Sequence, residues 1–269
     1  MKKQVFFIPH GGGPLPLMNH DSQQGLITLL RGLEEQVAES RAIVMITAHW
    51  EAEVVHLSGA PHPPLLFDYY NFPPETYEYE YPAPGAPDIA RQASDLLHAA
   101  GLHCNIDCER GFDHGTFVPM MLIRPLADIP VLQISLLASM DPAAHMALGR
   151  ALGPLLDHGA TIIGSGLSFH NLDALLRGQL MSGSEDEAFD SWLNETLTDP
   201  KLDSIQRTQN LTRWSDAPGA RFCHPREEHL LPLHVCYGAA SAAGLACENI
   251  YREKLMGFMT SGFRWMMPD

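Results

Sequence analysis

The chain alternates short apolar runs with longer helical patterns, and this alternation limits the folds that it can adopt. Four runs rich in β-branched residues are typical of buried strands: QVFFIP (4–9), AIVMITA (42–48), PVLQISLL (130–137) and TIIGSGL (161–167). Apolar residues at helical spacing follow over residues 25–40, 87–101 and 141–159. Because strands that alternate with helices form a sheet covered on both faces, we predict a three-layer α/β/α fold with a mostly parallel or mixed central sheet.

Two stretches depart from this alternation. Residues 59–86 are rich in proline and aromatic side chains, and a loop of this length is usually functional. Its rings either form the wall of an aromatic pocket or pack against one another at the surface. Residues 181–221 are polar, and we expect one helix, EAFDSWLNETL, between loops. With 269 residues, 45% of them hydrophobic, the chain is expected to form a single domain over residues 1–269.

Charge, the length of the apolar runs and the cysteines together indicate the partners and the location of the protein. The formal charge is 17 − 32 = −15, which disfavours binding to nucleic acid or anionic membranes. The first apolar run, VFFI before Pro9, is shorter than the roughly 7–15 residues of a secretory signal, and no run approaches the roughly 18 residues of a membrane span. Five cysteines without metal-site spacing indicate free thiols. We therefore expect a cytoplasmic protein.

Histidines follow three of the predicted strands. His10 closes the first, His49 closes the second, and His170 follows the run TIIGSGL. Any one of them is more often an ordinary polar loop residue. Because the carboxyl ends of parallel strands share one edge of a sheet, the three are expected to converge on one crevice. Neutral imidazole is the commonest metal ligand among side chains, so this crevice is a candidate metal site.

Two further segments carry candidate groups. In HPREEHLLPLHVCYGAA (224–240), Glu228 and His229 begin a helical pattern and would point about 100° apart. One of them would ligate while the other supports it or faces solvent, or the segment is an ordinary helix with an acidic first turn. Pro232 favours an irregular entry. His114, in GFDHGTFVPM, either donates a hydrogen bond to a substrate oxygen or is a buried structural histidine.

The glycines of IPHGGGP (8–14) match neither common phosphate loop. A P-loop needs G-x-x-x-x-G-K-[ST], and a dinucleotide-binding turn needs G-x-G-x-x-G at the start of a helix. HGGG also occurs in the oxyanion hole of some esterases, but the G-x-S-x-G nucleophile motif that those enzymes require is missing from the sequence. We interpret the glycines as space beside His10 for a flat substrate.

Six segments, in order, resemble the class III extradiol ring-cleavage dioxygenases, the LigB-like family, and within it the DOPA 4,5-dioxygenase type. These segments are PHGGGP, TAHWE, FPPETYEYEYPAPG, GFDHGTFVPM, GSGLSFHNL and REEHLLPL. The resemblance extends over most of the chain. It implies a LigB-like fold, a single catalytic domain and an enzyme that opens a catechol-type, DOPA-like ring with O2 at a mononuclear non-haem metal.

The resemblance also implies a ligand set. His10 and His49 would bind the metal with a third ligand from the REEH segment. His229 is the third ligand expected for the DOPA type, and Glu228 would be the third ligand of a two-histidine, one-carboxylate site. The expected metal is Fe(II) for catalysis, although Zn(II) can occupy the site in purified protein. With zinc, His170 would also bind the metal.

Other roles are carried over from the same resemblance. His170 matches the acid–base histidine, and His114 matches a histidine close to substrate and oxygen. Gly12, Trp50 and Phe117 are the expected residues of the substrate pocket. The partners would be a small aromatic diol and O2, and the protein would be a monomer or a homodimer.

The histidines alone leave two alternatives open. Several histidines beside a carboxylate also suit a zinc-dependent hydrolase, in which Zn²⁺ activates water. A non-enzymatic metal-binding protein on the same fold is the other alternative, because a fold does not determine a function.

Overall fold

An eight-stranded sheet forms the centre of the computed structural model, which describes residues 2–177 and 184–268. The strands are β1 Gln4–Pro9, β2 Ala42–Ala52, β3 Val55–Ser58, β4 Cys104–Asp107, β5 Val131–Leu137, β6 Ala160–Gly166, β7 Ala246–Leu255 and β8 Phe258–Met266. Their order across the sheet is β4-β3-β5-β2-β6-β1-β8-β7. The four predicted strands are β1, β2, β5 and β6, and they lie together at its centre.

Helices cover both faces of the sheet. They are α1 Gln24–Gly32, α2 Glu34–Val37, α3 Pro87–Ala99, α4 His114–Ile123, α5 Pro142–Leu152, α6 Leu172–Arg177, α7 Glu185–Thr198, α8 Ser204–Thr212, α9 Ala220–Cys223 and α10 Leu231–Ala242. One hydrophobic core lies under α3, α5, α7 and α10, and a second lies under α1, α2 and α4. Within residues 2–177 and 184–268, none of the helices is long and apolar enough to cross a membrane.

The alternation of side chains along β1 shows how the three layers arise. Val5 and Phe7 point into the first core, whereas Phe6 and Ile8 point into the second. A strand sends successive side chains to opposite faces, so a fully apolar strand needs a covering layer on each side. The predicted three-layer α/β/α architecture is therefore confirmed.

The sheet is mixed, and its central part is parallel. β5, β2, β6 and β1 run parallel to one another. β3 runs antiparallel to β5 at one side, and β8 runs antiparallel to β1 at the other. The pairing of β2 with β5 shifts register between Ile46 and Glu51. This irregularity contains His49, and bulges of this kind redirect side chains beside functional sites.

Three helix predictions need correction. The pattern over residues 25–40 is broken at Leu33, between α1 and α2. The pattern over 141–159 has Asp141 as its N-cap, but α5 ends at Leu152 and continues as a 3₁₀ turn, because Pro154 has no N–H for an α-helical hydrogen bond. The predicted helix in 181–221 is α7, and α8 and α9 follow it; residues 181–183 lie outside the described part.

A buried histidine predicts how stability depends on pH. His234 is fully buried in α10, and burial lowers its pKa from 6.5 to about 4. In the unfolded chain this imidazole takes up a proton below pH 6.5, whereas in the folded protein it stays neutral until about pH 4. The free energy of unfolding should therefore fall as the pH is lowered through this window, by up to about 3 kcal/mol from this group.

Urea titrations of the wild type and of His234→Gln at several pH values would measure this contribution. Between pH 6.5 and 4, the free energy of unfolding of His234→Gln should depend less steeply on pH than that of the wild type, by an amount that corresponds to the uptake of about one proton on unfolding. Equal slopes in both proteins would show that His234 does not contribute.

Candidate active site

Five histidines from separate elements come together at the carboxyl edge of the central strands. His10 follows β1, His49 lies in the irregular part of β2, His114 is the first residue of α4, His170 follows β6, and His229 lies in the turn before α10. The ring centroids of the first three and His229 are 3.9 to 5.5 Å apart in the five pairs that make contact. The ring of His170 stacks on that of His229 at 3.4 Å.

A hydroxyl group fixes the orientation of the His10 ring. The Ser165 hydroxyl on β6 donates its proton to the carbonyl of Gly115. Its oxygen is then free to accept from Nδ1 of His10, 3.0 Å away. Because Nδ1 carries the proton, Nε2 of His10 carries the lone pair.

The position of His49 is held by a buried polar network below the irregular part of β2. Arg110 donates to the carbonyl of His49 at 2.9 Å, and the hydroxyl of Thr47 accepts from the His49 N–H at 3.1 Å. Thr47 in turn donates to the buried carboxyl of Asp113 at 2.8 Å. Both the N–H and the carbonyl of His49 are therefore held by hydrogen bonds, although the pairing of β2 with β5 is interrupted here.

Asp68, from the loop 59–86, supports two of the rings. Its Oδ1 accepts from Nδ1 of His114 at 2.8 Å and from the His114 backbone N–H at 2.9 Å. Its Oδ2 lies 3.7 Å from Nδ1 of His49. Burial alone would raise the pKa of Asp68, but its hydrogen bonds from His114 outweigh burial and lower it. The sequence analysis missed Asp68, because no local pattern marks a residue whose partners are 19 and 46 positions away.

Glu228 supports the rings of His170 and His229 in the way that Asp68 supports those of His49 and His114. Its Oε1 accepts from Nδ1 of His170 at 3.1 Å and from Nδ1 of His229 at 3.0 Å, and Arg226 approaches its Oε2 at 3.4 Å. Burial would raise the pKa of Glu228, but the hydrogen bonds from the two histidines hold it well below its ordinary value. Burial, followed by repulsion from His170, lowers the pKa of His229 to about 3. Neutral His229 then donates from Nδ1 and presents a lone pair on Nε2.

The two nitrogens Nε2 of His10 and His49 are 3.2 Å apart. Burial, with repulsion from neighbouring histidines, lowers the pKa of both rings well below its ordinary value, so both are neutral. Nδ1 of His10 is hydrogen-bonded to Ser165, so its Nε2 carries a lone pair. Nε2 of His49 faces that lone pair either as an N–H donor or, with its proton on Nδ1 towards Asp68, as a second lone pair that a cation would bridge. A metal about 2.1 Å from each nitrogen, with about 100° between the bonds, would separate them by about 3.2 Å. The residues present therefore fit a metal.

The same metal geometry can be used to choose the third histidine ligand beside His10 and His49. The potential ligand atoms of His10, His49 and His114 all lie within 4.8 Å of one another, and so do those of His170, Glu228 and His229. The predicted set of His10, His49 and His229 takes members from both groups. Its ring centroids nevertheless form a nearly equilateral triangle of 4.9, 5.2 and 5.0 Å. Three imidazoles on one metal with bonds about 100° apart have centroids about 5 Å apart, whereas His49 and His114 are only 3.9 Å apart.

The three residues expected to form the substrate pocket lie in three different environments. A Cβ on Gly12 would lie 3.2 Å from both Leu15 and Met256, so a side chain at this position would crowd its neighbours. Trp50 packs under the guanidinium of Arg110 at 4.6 Å, beside a surface depression of about 430 Å³, because neighbouring residues of a strand face opposite ways. Phe117 is fully buried one helical turn beyond His114. The assignment of Gly12, Trp50 and Phe117 to the substrate pocket stays a prediction.

The loop 59–86 combines both of the arrangements considered for it. Its rings pack against one another, with Tyr69 lying 5.4 Å from Phe72 and 5.2 Å from Tyr77. Tyr69 also lies 5.8 Å from the ring of His114. The loop is thus a self-packed aromatic cluster that also forms one side of the histidine site.

The fold and the histidine site agree with a known family. A family model described as the catalytic LigB subunit of aromatic ring-opening dioxygenase matches residues 4–263. The chain belongs to this family, as its motifs predicted, and is an extradiol aromatic ring-opening dioxygenase. Dioxygenases of this family use a non-haem metal, and their substrates are an aromatic compound and O2.

Curated relatives and a solved structure extend over nearly the same length. Dioxygenase tasH of Hapsidospora irregularis is 43% identical, covering 88% of this chain and 78% of the relative. The 4,5-DOPA dioxygenase extradiol of Beta vulgaris is 36% identical, covering 97% of this chain and 95% of the relative. The crystal structure of an uncharacterized protein from Escherichia coli K12 superimposes with a TM-score of 0.77 at 25% identity, covering 98% of this chain and 99% of that one.

Proposed function

We propose that this enzyme opens the ring of a small, DOPA-like catechol with O2 at a single Fe(II). The observation that carries the proposal is the pair of Nε2 atoms of His10 and His49, which face each other at 3.2 Å with their Nδ1 atoms directed at oxygen. Relatives named 4,5-DOPA dioxygenase extradiol support the substrate class.

His10, His49 and His229 are the proposed metal ligands. The even spacing of their rings supports this choice over His114. Glu228 is then a supporting carboxylate, since its Oε1 is already occupied by two imidazole N–H groups. Outer carboxylates of this kind orient a ligating imidazole and raise its basicity.

His170 is the proposed acid–base residue. The bound metal would hold the two diol oxygens and lower their pKa. His170 donates from Nδ1 to Glu228, which leaves Nε2 to take a proton from a substrate hydroxyl and to return it later. The ionised Glu228 stabilises the imidazolium that forms. His114 donates from Nδ1 to Asp68, so its Nε2 can accept a hydrogen bond from the other hydroxyl.

We also propose that residues 1–269 form one catalytic domain, a monomer or a homodimer that acts in the cytoplasm. The five cysteines, all within the described residues, are free thiols, which agrees with a reducing compartment.

Anaerobic loading with Fe(II) tests the proposed function. L-DOPA or catechol is added to the iron-loaded protein, oxygen is admitted, and oxygen uptake is followed together with the visible absorbance of a ring-opened semialdehyde. We expect stoichiometric uptake and a coloured product with Fe(II). Protein that holds iron but consumes no oxygen with any of several catechols would refute the proposed substrate class, and hydrolysis by the Zn(II) form would support the alternative of a hydrolase.

A further inference from the structure

We infer that Asp68 is a positioning residue that sets the tautomer of two active-site histidines, and so makes the loop 59–86 part of the metal site. The inference rests on the proposed role of His49 as a ligand. Asp68 faces Nδ1 of His114 through one oxygen and Nδ1 of His49 through the other. An ionised carboxylate only accepts hydrogen bonds, so Asp68 keeps the proton of His114 on Nδ1. At 3.7 Å it is beyond hydrogen-bond distance of His49, and its negative charge favours a proton on Nδ1 of that ring and a lone pair on Nε2.

The contacts of Asp68 come from three directions and leave it one arrangement. Oδ1 accepts from both the ring and the backbone N–H of His114, at 2.8 and 2.9 Å. That backbone N–H is the first of α4, so the carboxylate also caps the helix from a distant part of the chain. Oδ2 is left to face His49 at 3.7 Å. Because the side chain is only one-fifth exposed, water competes weakly for these positions.

The loop holds Asp68 in place through its neighbour. The Tyr69 hydroxyl donates to the carbonyl of Thr76, and its ring packs on Phe72 and Tyr77. The aromatic cluster therefore fixes the backbone beside the carboxylate. This explains why a loop without regular structure can position a group at the metal site.

Replacement by asparagine tests the tautomer directly. The backbone N–H of His114 is a permanent donor, so the amide oxygen of Asn must take the place of Oδ1, and its NH2 group must face His49. An NH2 group at this place would favour a lone pair on Nδ1 of His49 and therefore a proton on Nε2, which blocks that nitrogen as a ligand. Alanine removes the acceptor without adding a donor. Asp68→Asn should therefore weaken metal binding more than Asp68→Ala, although Asn has nearly the shape of Asp.

Binding of Co(II) and Zn(II) in competition with a chelator is the measurement, with unfolding curves to confirm that each variant is folded. Loss of an outer carboxylate typically lowers metal affinity about 10–100-fold, so we expect Asp68→Ala within this range and Asp68→Asn at or beyond its upper end. Glu78→Gln, an exposed carboxylate of the same loop, is the matched control and should bind as the wild type does.

The order of the variants decides between explanations. If Asp68→Asn and Asp68→Ala lose the same metal affinity, the effect comes from the lost charge alone. If Asp68→Ala binds metal more weakly than Asp68→Asn, the effect comes from lost packing. Either result would overturn the inference. Should Asp68→Asn fail to fold, wild-type affinity in Asp68→Ala would overturn it as well. These titrations contain neither catechol nor O2, so a wild type that binds metal but opens no ring would refute the proposed function and leave this result standing.

Discussion

Replacement of His10 or His49 by alanine is expected to abolish metal binding and, with it, ring opening. Each substitution removes one of the two nitrogens that face each other at 3.2 Å. Loss of an outer-sphere partner alone typically costs about 10–100-fold in metal affinity, so loss of a ligand should cost at least about 100-fold. Metal content after dialysis against a defined free Fe(II) or Zn(II) concentration, measured by elemental analysis, would report the loss.

Thermal unfolding separates lost binding from lost folding. A metal that binds only the folded protein raises its stability by RT ln(1 + [M]/Kd), so added metal should raise the Tm of the wild type but not that of either variant. His20→Ala is the matched control, since His20 is an exposed histidine ten residues after His10. Normal metal content in folded His10→Ala or His49→Ala protein would mean that the metal site is elsewhere.

The central strands could be predicted because both of their faces are covered, which makes their sequences continuously apolar. The strands that the sequence analysis missed lie towards the edges of the sheet, where this signal fades. β7, ACENIYREKL, carries charged residues along its length, and β4, CNID, is half exposed. The turn between β7 and β8 places Met256 at φ +51°, a conformation that methionine seldom adopts, so its sequence gives little warning of a hairpin.

The site shows a similar division. His10, His49 and His170 stand after apolar runs, and the direction of parallel strands was enough to predict that they meet. Glu228 and His229 were analysed as helical neighbours pointing apart, but α10 begins only at Leu231. In the preceding turn, Nδ1 of His229 donates to Glu228, an arrangement that helical geometry would not suggest. Asp68 reaches the site only through the tertiary packing of its loop.

Replacement of His170 is expected to stop turnover while the metal stays bound. His170 presents Nδ1 to Glu228 and is not among the three rings with even spacing, so its proposed role is proton transfer. General acid–base catalysis by a positioned side chain typically contributes about 10²–10⁴-fold, and kcat should fall by this amount in His170→Ala. The alanine variant also removes the ring that stacks on His229 at 3.4 Å, so it could disturb a ligand as well.

His170→Gln resolves this ambiguity, because its amide NH2 can still donate to Oε1 of Glu228 but cannot carry a proton between substrate and solvent. The Gln variant should bind metal with nearly wild-type affinity, keep its KM for the catechol and lose kcat as the alanine variant does. Added imidazole should restore part of the turnover in His170→Ala, where the cavity can admit it, and little in His170→Gln. Wild-type kcat in the Gln variant would exclude His170 as the acid–base group. Loss of metal in that variant would instead make His170 a ligand, and the three rings of His10, His49 and His229 would then not be the complete ligand set.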